Sequence, residues 1–270
     1  MNRPEKPDIP DVQSASDARQ LAIDRVGIRG LRYPIRFIDG ADAAAAAAPQ
    51  STIATFGAYV ALPADRKGTH MSRLVALIDE WREPLSLTAL PAMLDTLVLR
   101  LDADAGRIDI DFPWFMRKQA PVSGVESMMD YEVKLRAEAA PGSRVVSATI
   151  VVPVMSLCPS SKAIADYGAH NQRSHLTLML RPRAGTEVSL SAWVRVAEEE
   201  ASCELFGLLK RNDEKFVTER AYERPRFVED LVRGVAARLA VDPGLAGFSV
   251  AAENFESIHN HSAYAEIVRG

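Results

Sequence analysis

The chain holds only five histidines and two cysteines among 270 residues, and their placement sets the chemistry open to it. Cys158 stands in SLCPSSK (Ser156 to Lys162), and His170 follows one loop later in DYGAHNQRSH (Asp166 to His175). A thiolate and an imidazole across one loop can reach a single ion. With His259 or His261 and the carboxylate of Glu204 they offer the mixed sulfur, nitrogen and oxygen set that zinc accepts and that iron or manganese tolerate. The spacing matches no standard zinc motif. Taken singly, each of these residues is more often structural: a buried cysteine is an inert small hydrophobe, and Glu204, beside Cys203 in ASCELFG (Ala201 to Gly207), also fits a helix cap or a solvated carboxylate. Taken together they point to a divalent metal.

Two further carboxylates, Glu219 in VTERAY (Val217 to Tyr222) and Glu256 in NFESIHNHSAY (Asn254 to Tyr264), suit a ligand. A carboxylate accepts two parallel hydrogen bonds from adjacent ring N–H and amino groups, the donor pair that guanine presents. KGTHMSR (Lys67 to Arg73) sets Lys67, His70 and Arg73 around a helix start, which suits phosphate, although capping near Thr69 accounts for it nearly as well. Lys210, Arg211, Lys215 and Arg220 make a second basic cluster, which read from charge alone is a solvated surface.

The elements that must position these residues follow from hydrophobic period. Arg32 to Asp39 and Ser51 to Leu62 read as strands, the second with Ala54, Phe56, Ala58, Val60 and Leu62 on one face. Helical spacing then marks Met71, Leu74, Val75 and Ile78, and after it Leu90, Met93, Leu94, Leu97, Val98 and Leu101. Strands return at Ile108, Ile110 and Phe112 and near Met128 to Leu135. The second half repeats the order. Val146 to Val154 and Leu176 to Leu180 alternate, helices run over roughly Val188 to Glu204 and from Pro225 to Leu239, and Phe248 to Phe255 and Ala263 to Val268 close the set. The expected architecture is α+β, two tandem β-β-α-α-β-β units over residues 21–140 and 141–270, each an antiparallel sheet backed by a helix pair. Residues 1–20 read as a flexible arm and 41–50, with its alanine run, as a variable loop. In the second unit this topology gathers the loop Leu157 to Gln172, the segment Ser202 to Tyr222 and the turn Glu256 to His261 at one edge. Most of the candidate residues fall in those three connections.

The net charge of −4 argues against a general nucleic-acid binder. No apolar run is long enough to span a membrane, the N-terminus is no secretion signal, and two cysteines make a poor disulfide framework, so a reducing, cytoplasmic location is expected.

The blocks GLRYPIRF, KGTHMSR, APVSGVESMMDYEV, SLCPSSK, DYGAHNQRSH, ASCELFGLLKRNDEKFVTERAYERPRFVED and NFESIHNHSAY closely resemble the type IB GTP cyclohydrolases of prokaryotes, over nearly the whole chain outside the alanine loop. The resemblance implies the tunnelling fold, a homotetramer with active sites at subunit interfaces, and conversion of GTP and water to 7,8-dihydroneopterin triphosphate and formate, the entry to folate. It implies zinc, manganese or iron held by Cys158, His170, Glu204 and His259, with His261 as fallback. Glu219 resembles the anchor of the guanine edge, and Glu256 a catalytic carboxylate that shares proton transfer with His170. Lys67, His70, Arg73 and Lys210 are the candidates for the triphosphate. Many relatives carry a second cysteine two positions after the first, where this chain has Ser160. Two rivals are a nitrile reductase of the same fold, with cysteine as covalent nucleophile and a nicotinamide cofactor, and a binding module tied together by a structural metal. Metal content and turnover separate the three.

Overall fold

The computed structural model describes residue 13 and residues 15–40 and 48–270. Most of the expected N-terminal arm and the expected alanine loop lie outside the described residues. What is described of the arm is tied down: Asp17 N–H donates to Asp65 O at 2.9 Å and Lys67 N–H to Ala15 O at 2.9 Å.

Among the described residues, nine strands form one antiparallel sheet: β1 (Ile23–Phe37), β2 (Gln50–Leu62), β3 (Gly106–Gln119), β4 (Glu126–Ala140), β5 (Ser143–Leu157), β6 (Asn171–Pro182), the two-residue β7 (Cys203–Glu204), β8 (Leu245–Asn254) and β9 (Ala263–Arg269). The order across the sheet is β1-β2-β3-β4-β5-β6-β8-β9, with β7 beside β5 where β4 no longer pairs with it. Strict alternation drives this. On β5, Ala148, Ile150, Val152 and Val154 are buried, and their register partners on β6 include Leu176, Leu178 and Leu180. All these point to one face, where each fully buried branched side chain contributes roughly 1.5–3 kcal/mol. The opposite face is charged: Arg107, Asp109, Arg136 and Glu138 form linked ion pairs across β3 and β4.

Among the described residues there are six helices, α1 (Met71–Glu80), α2 (Leu90–Arg100), α3 (Pro159–Ile164), α4 (Leu190–Glu200), α5 (Arg211–Glu223) and α6 (Val228–Leu239), of which α1, α2, α4 and α6 cover the apolar face. The expected helix pairs are α1 with α2 and α4 with α6. The structure adds α3 and α5 inside connections read as loops. It also fuses the two expected sheets, because β4 and β5 form a hairpin across Pro141 and Gly142, the latter at φ 72°, where a side chain would be strained. One hydrophobic core therefore runs beneath both halves.

A carboxylate joins the halves a second time. Asp39, buried just after β1, accepts from Leu190 N–H at 2.7 Å, Ser191 N–H at 3.1 Å and Ser191 Oγ–H at 2.8 Å, which satisfies the free donors at the start of α4. The helix's own N-cap, Ser189, covers only Ala192 N–H. Asp39→Ala is expected to cost about 2 kcal/mol and to lower the thermal midpoint by roughly 5 °C. A midpoint equal to wild type in a thermal melt would show that the contact does not couple the halves.

Candidate active site

Three candidates of the second half, Cys158, His170 and Glu256, lie at the end of the sheet where β5 finishes and β6 begins. Cys158 caps α3, with Pro159 in the first turn and its thiol accepting from Ser161 N–H at 3.4 Å. Its own N–H donates to His170 O at 3.1 Å, and Ser161 Oγ bridges back to His170 N–H at 3.2 Å, so the loop between the two donors closes on itself. His170 and Glu256 are both largely buried, with His170 Nδ1 3.8 Å from Glu256 Oε2. Cys158, His170 and Glu256 are thus brought to one place. Their chemistry suits a divalent metal: a half-buried thiol, and a ring whose Nδ1 is engaged, leaving Nε2 for ligation.

The remaining expected ligands stand apart. Glu204 lies opposite Val154, four residues back along β5 from Cys158, or about 13 Å at the usual strand rise. Its carboxylate meets Arg220 of α5 at 3.4 Å and the Cys203 thiol at 3.7 Å. Burial, with the Glu204 charge adding to it, pushes the Cys203 thiol up to about 12, so Cys203 stays protonated at neutral pH. His259 and His261 stack on each other in the exposed β8–β9 turn, centroids 5.2 Å apart. Among the described residues of one chain, no three His, Cys, Asp or Glu side chains stand close enough to enclose a metal ion.

The substrate candidates divide between two ends of the sheet. Glu219 is exposed on α5, 3.5 Å from Lys215, one turn earlier. Lys210 precedes α5, and its backbone N–H donates to Asp213 at 2.8 Å. Asp213 also accepts from Val122 N–H and Ser123 N–H in the β3–β4 hairpin, which fixes α5 against the first half. Lys67 and His70 lie between β2 and α1, and Arg73 in the first turn of α1. The strand registers put the close of β2 at the far end of the sheet from Cys158. One chain does not bring them to the Cys158 loop.

Sequence reasoning missed two sets of buried polar residues. Lys118 of β3 reaches Glu198 Oε1 of α4 at 2.6 Å and Leu205 O at 2.7 Å, and lies 4.7 Å from the Phe206 ring centre. Tyr131 OH donates to the same Glu198 oxygen at 3.0 Å. This cluster pins the segment that carries Glu204. The second set, Ser156, Gln172, Ser174 and Asn254, is buried behind His170. Its signal was present in the sequence: each continues the inward-facing register of an apolar strand with a polar residue.

A single antiparallel sheet with helices on one face places the chain among the tunnelling-fold proteins. The structure is similar to that of uricase from Arthrobacter globiformis, with a TM-score of 0.50 at 10% identity over 91% of this chain and 92% of that one. It is likewise similar to the urate oxidase of Bacillus sp. TB-90, with a TM-score of 0.50 at 6% identity over 91% and 99%. At such identities the likeness concerns fold alone.

Sequence carries the assignment further. Residues 9–265 match the family model described as type I GTP cyclohydrolase folE2. The chain is 58% identical over 259 residues to GTP cyclohydrolase FolE2 2 of Cupriavidus metallidurans, covering 96% of this chain and 94% of that protein. It is 56% identical over 268 residues to GTP cyclohydrolase FolE2 1 of Dechloromonas aromatica, covering 99% and 98%. The chain belongs to the FolE2 family of type I GTP cyclohydrolases.

Proposed function

We propose that this enzyme is a type IB GTP cyclohydrolase that opens the imidazole ring of GTP and gives 7,8-dihydroneopterin triphosphate and formate, at the entry to folate. The observation that carries this reading is the gathering of Cys158, His170 and Glu256 at one sheet end, in a chain matching the family over residues 9–265. Cys158 and His170 would hold a zinc, manganese or iron ion, and Glu204 and His259, or His261 in its place, which stand apart from them in the single chain, would be the remaining ligands. The bound ion supplies a Lewis-acid centre that lowers the pKa of water towards neutrality.

The remaining roles belong to the protein's own groups. Glu256, beside His170, moves the proton that makes C8 of the purine electrophilic, and His170 shares that relay. Glu219, exposed on α5 beside Lys215, accepts the ring N–H and amino donors of guanine. Lys210, Lys67, His70 and Arg73 serve the triphosphate. Since the last three sit at the far end of the same chain, a neighbouring copy supplies them.

That division supports sites at subunit interfaces; the assembly proposed is a homotetramer of chains with tandem units 21–140 and 141–270, working in the cytoplasm. Exposed apolar side chains at the same edge, Ile164, Tyr167, Leu208, Tyr222 and Ile258, support it further, because such a patch is normally covered. Among the described residues, no helix is long and apolar enough to cross a membrane.

Metal-loaded protein incubated with GTP is expected to release formate and yield a pterin that fluoresces after oxidation. Failure to form either product after loading with zinc, manganese and iron in turn would refute the reading.

A further inference from the structure

On three neighbouring strands the inward-facing residues are apolar until the site end, where they turn polar. On β5 Ser156 follows Val154, on β6 Gln172 and Ser174 precede Leu176, and on β8 Asn254 follows Ala252. Ser156 pairs with Gln172, and Ser174 with Asn254, in the strand registers. All four are buried. Three of them form a connected chain with His170: His170 Nδ1 to Gln172 Oε1 at 2.9 Å, Gln172 Nε2–H to Ser156 Oγ at 2.9 Å, and Ser156 Oγ to Ser174 Oγ at 2.7 Å. Polar groups this deep cost free energy unless each is satisfied, so such a chain is retained where it fixes something.

The chain has a direction. If the serines donated towards Gln172, the amide would turn its NH2 to His170, Nδ1 would accept, and the ring proton would move to Nε2. Two features oppose that arrangement. Asn254 Oδ1, on the register partner of Ser174, is a buried acceptor without a partner among the described residues, so an acceptor rather than a donor waits at the far end. Glu256 Oε2, an acceptor whichever way the Gln172 amide is turned, lies 3.8 Å from Nδ1. Both favour a proton on Nδ1.

We infer that Gln172 is a positioning residue: backed by Ser156 and Ser174, it holds His170 in the Nδ1–H tautomer and leaves the Nε2 lone pair bare for ligation. The role is carried by a strand amide, and Glu256 remains free for proton transfer instead of serving as the ring's sole orienting partner. Its value for ligation rests on the proposed function; the tautomer does not.

The test is ring nitrogen NMR on full-length, metal-free protein with 15N-labelled histidine, at a pH where imidazole is neutral, with His170 assigned by loss of its signals in His170→Asn. The expected spectrum shows Nδ1 protonated and Nε2 bare. Gln172→Leu is expected to populate the Nε2–H form and to weaken zinc binding, measured by chelator competition, by about 10–100-fold. A wild-type His170 protonated on Nε2 overturns the inference, whether or not any variant folds. So does a folded Gln172→Leu protein with both tautomer and zinc affinity unchanged. A protein with the Nδ1–H tautomer that leaves GTP intact would sustain the inference and sink only the proposed activity.

Discussion

Cys158→Ala protein is expected to fold, to lose its bound metal and to lose formate release together. The thiol is half-buried and accepts one backbone hydrogen bond, from Ser161, so its removal costs only about 1 kcal/mol of stability. Its loss takes the proposed thiolate ligand from the loop that it closes with His170. The fall in turnover should exceed the roughly 10–100-fold that loss of an outer-shell partner costs. Cys203→Ala is the control. That thiol is held protonated by burial and by Glu204, with its pKa raised to about 12, and it packs against Val217 and Ala221, so its loss should appear in the thermal melt and not in metal content. Metal analysis, a formate assay and a melt on the two variants settle the matter. Cys158→Ala with wild-type metal content and turnover within tenfold would end the assignment of Cys158 as a ligand.

Strands and long helices were legible where burial imposes a clean period. β3, β5 and β6 alternate over their apolar stretches, and α2 and α6 carry full apolar faces, so the pattern located all five. β1 was read only from Arg32, although it begins at Ile23, because register shifts near Val26 and Leu31 break the two-residue period. α5 escaped because only Asp213, Val217 and Ala221 of its thirteen residues are buried, too sparse a stripe to stand out from a charged loop. The fusion of two sheets into one was equally hidden, since a Pro-Gly hairpin looks the same within a unit and between units.

The site was legible to the extent that its chemistry sits in loops. Cys158 and His170 meet because one loop joins adjacent strands, a relation that spacing conveys. Glu204 falls short because β7 pairs four residues back along β5, and no feature of ASCELFG records that register. Polar residues at inward strand positions were the signal that went unread. Gln172 and Ser174 break the β6 pattern just as Ser156 breaks that of β5, and a polar break at matching ends of adjacent strands marks a buried network.

Lys118→Met is expected to destabilise the protein by about 3–5 kcal/mol near neutral pH, because it strips the counter-ion from a carboxylate that cannot return to water. Glu198 and Lys118 side chains are only 9% and 11% exposed, and Glu198 Oε1 accepts from both Lys118 and Tyr131. Burial already raises the Glu198 pKa above the usual carboxylate range, against the pull of Lys118, and removing that cation raises it further. A carboxyl group with a raised folded pKa binds its proton more tightly in the folded state. Its neutral form carries no penalty below the unfolded value, and stability is lost as pH rises from there through the folded pKa. The deficit of Lys118→Met relative to wild type should therefore be smallest in mild acid and should grow towards neutral pH. Urea titrations of both proteins across that range measure it. A deficit that shrinks as pH rises would show that Glu198 is not the group left stranded. Because Lys118 also holds Leu205 O, the variant that remains folded in mild acid should show a loosened Cys203–Phe206 segment, read as faster amide exchange there than in wild type.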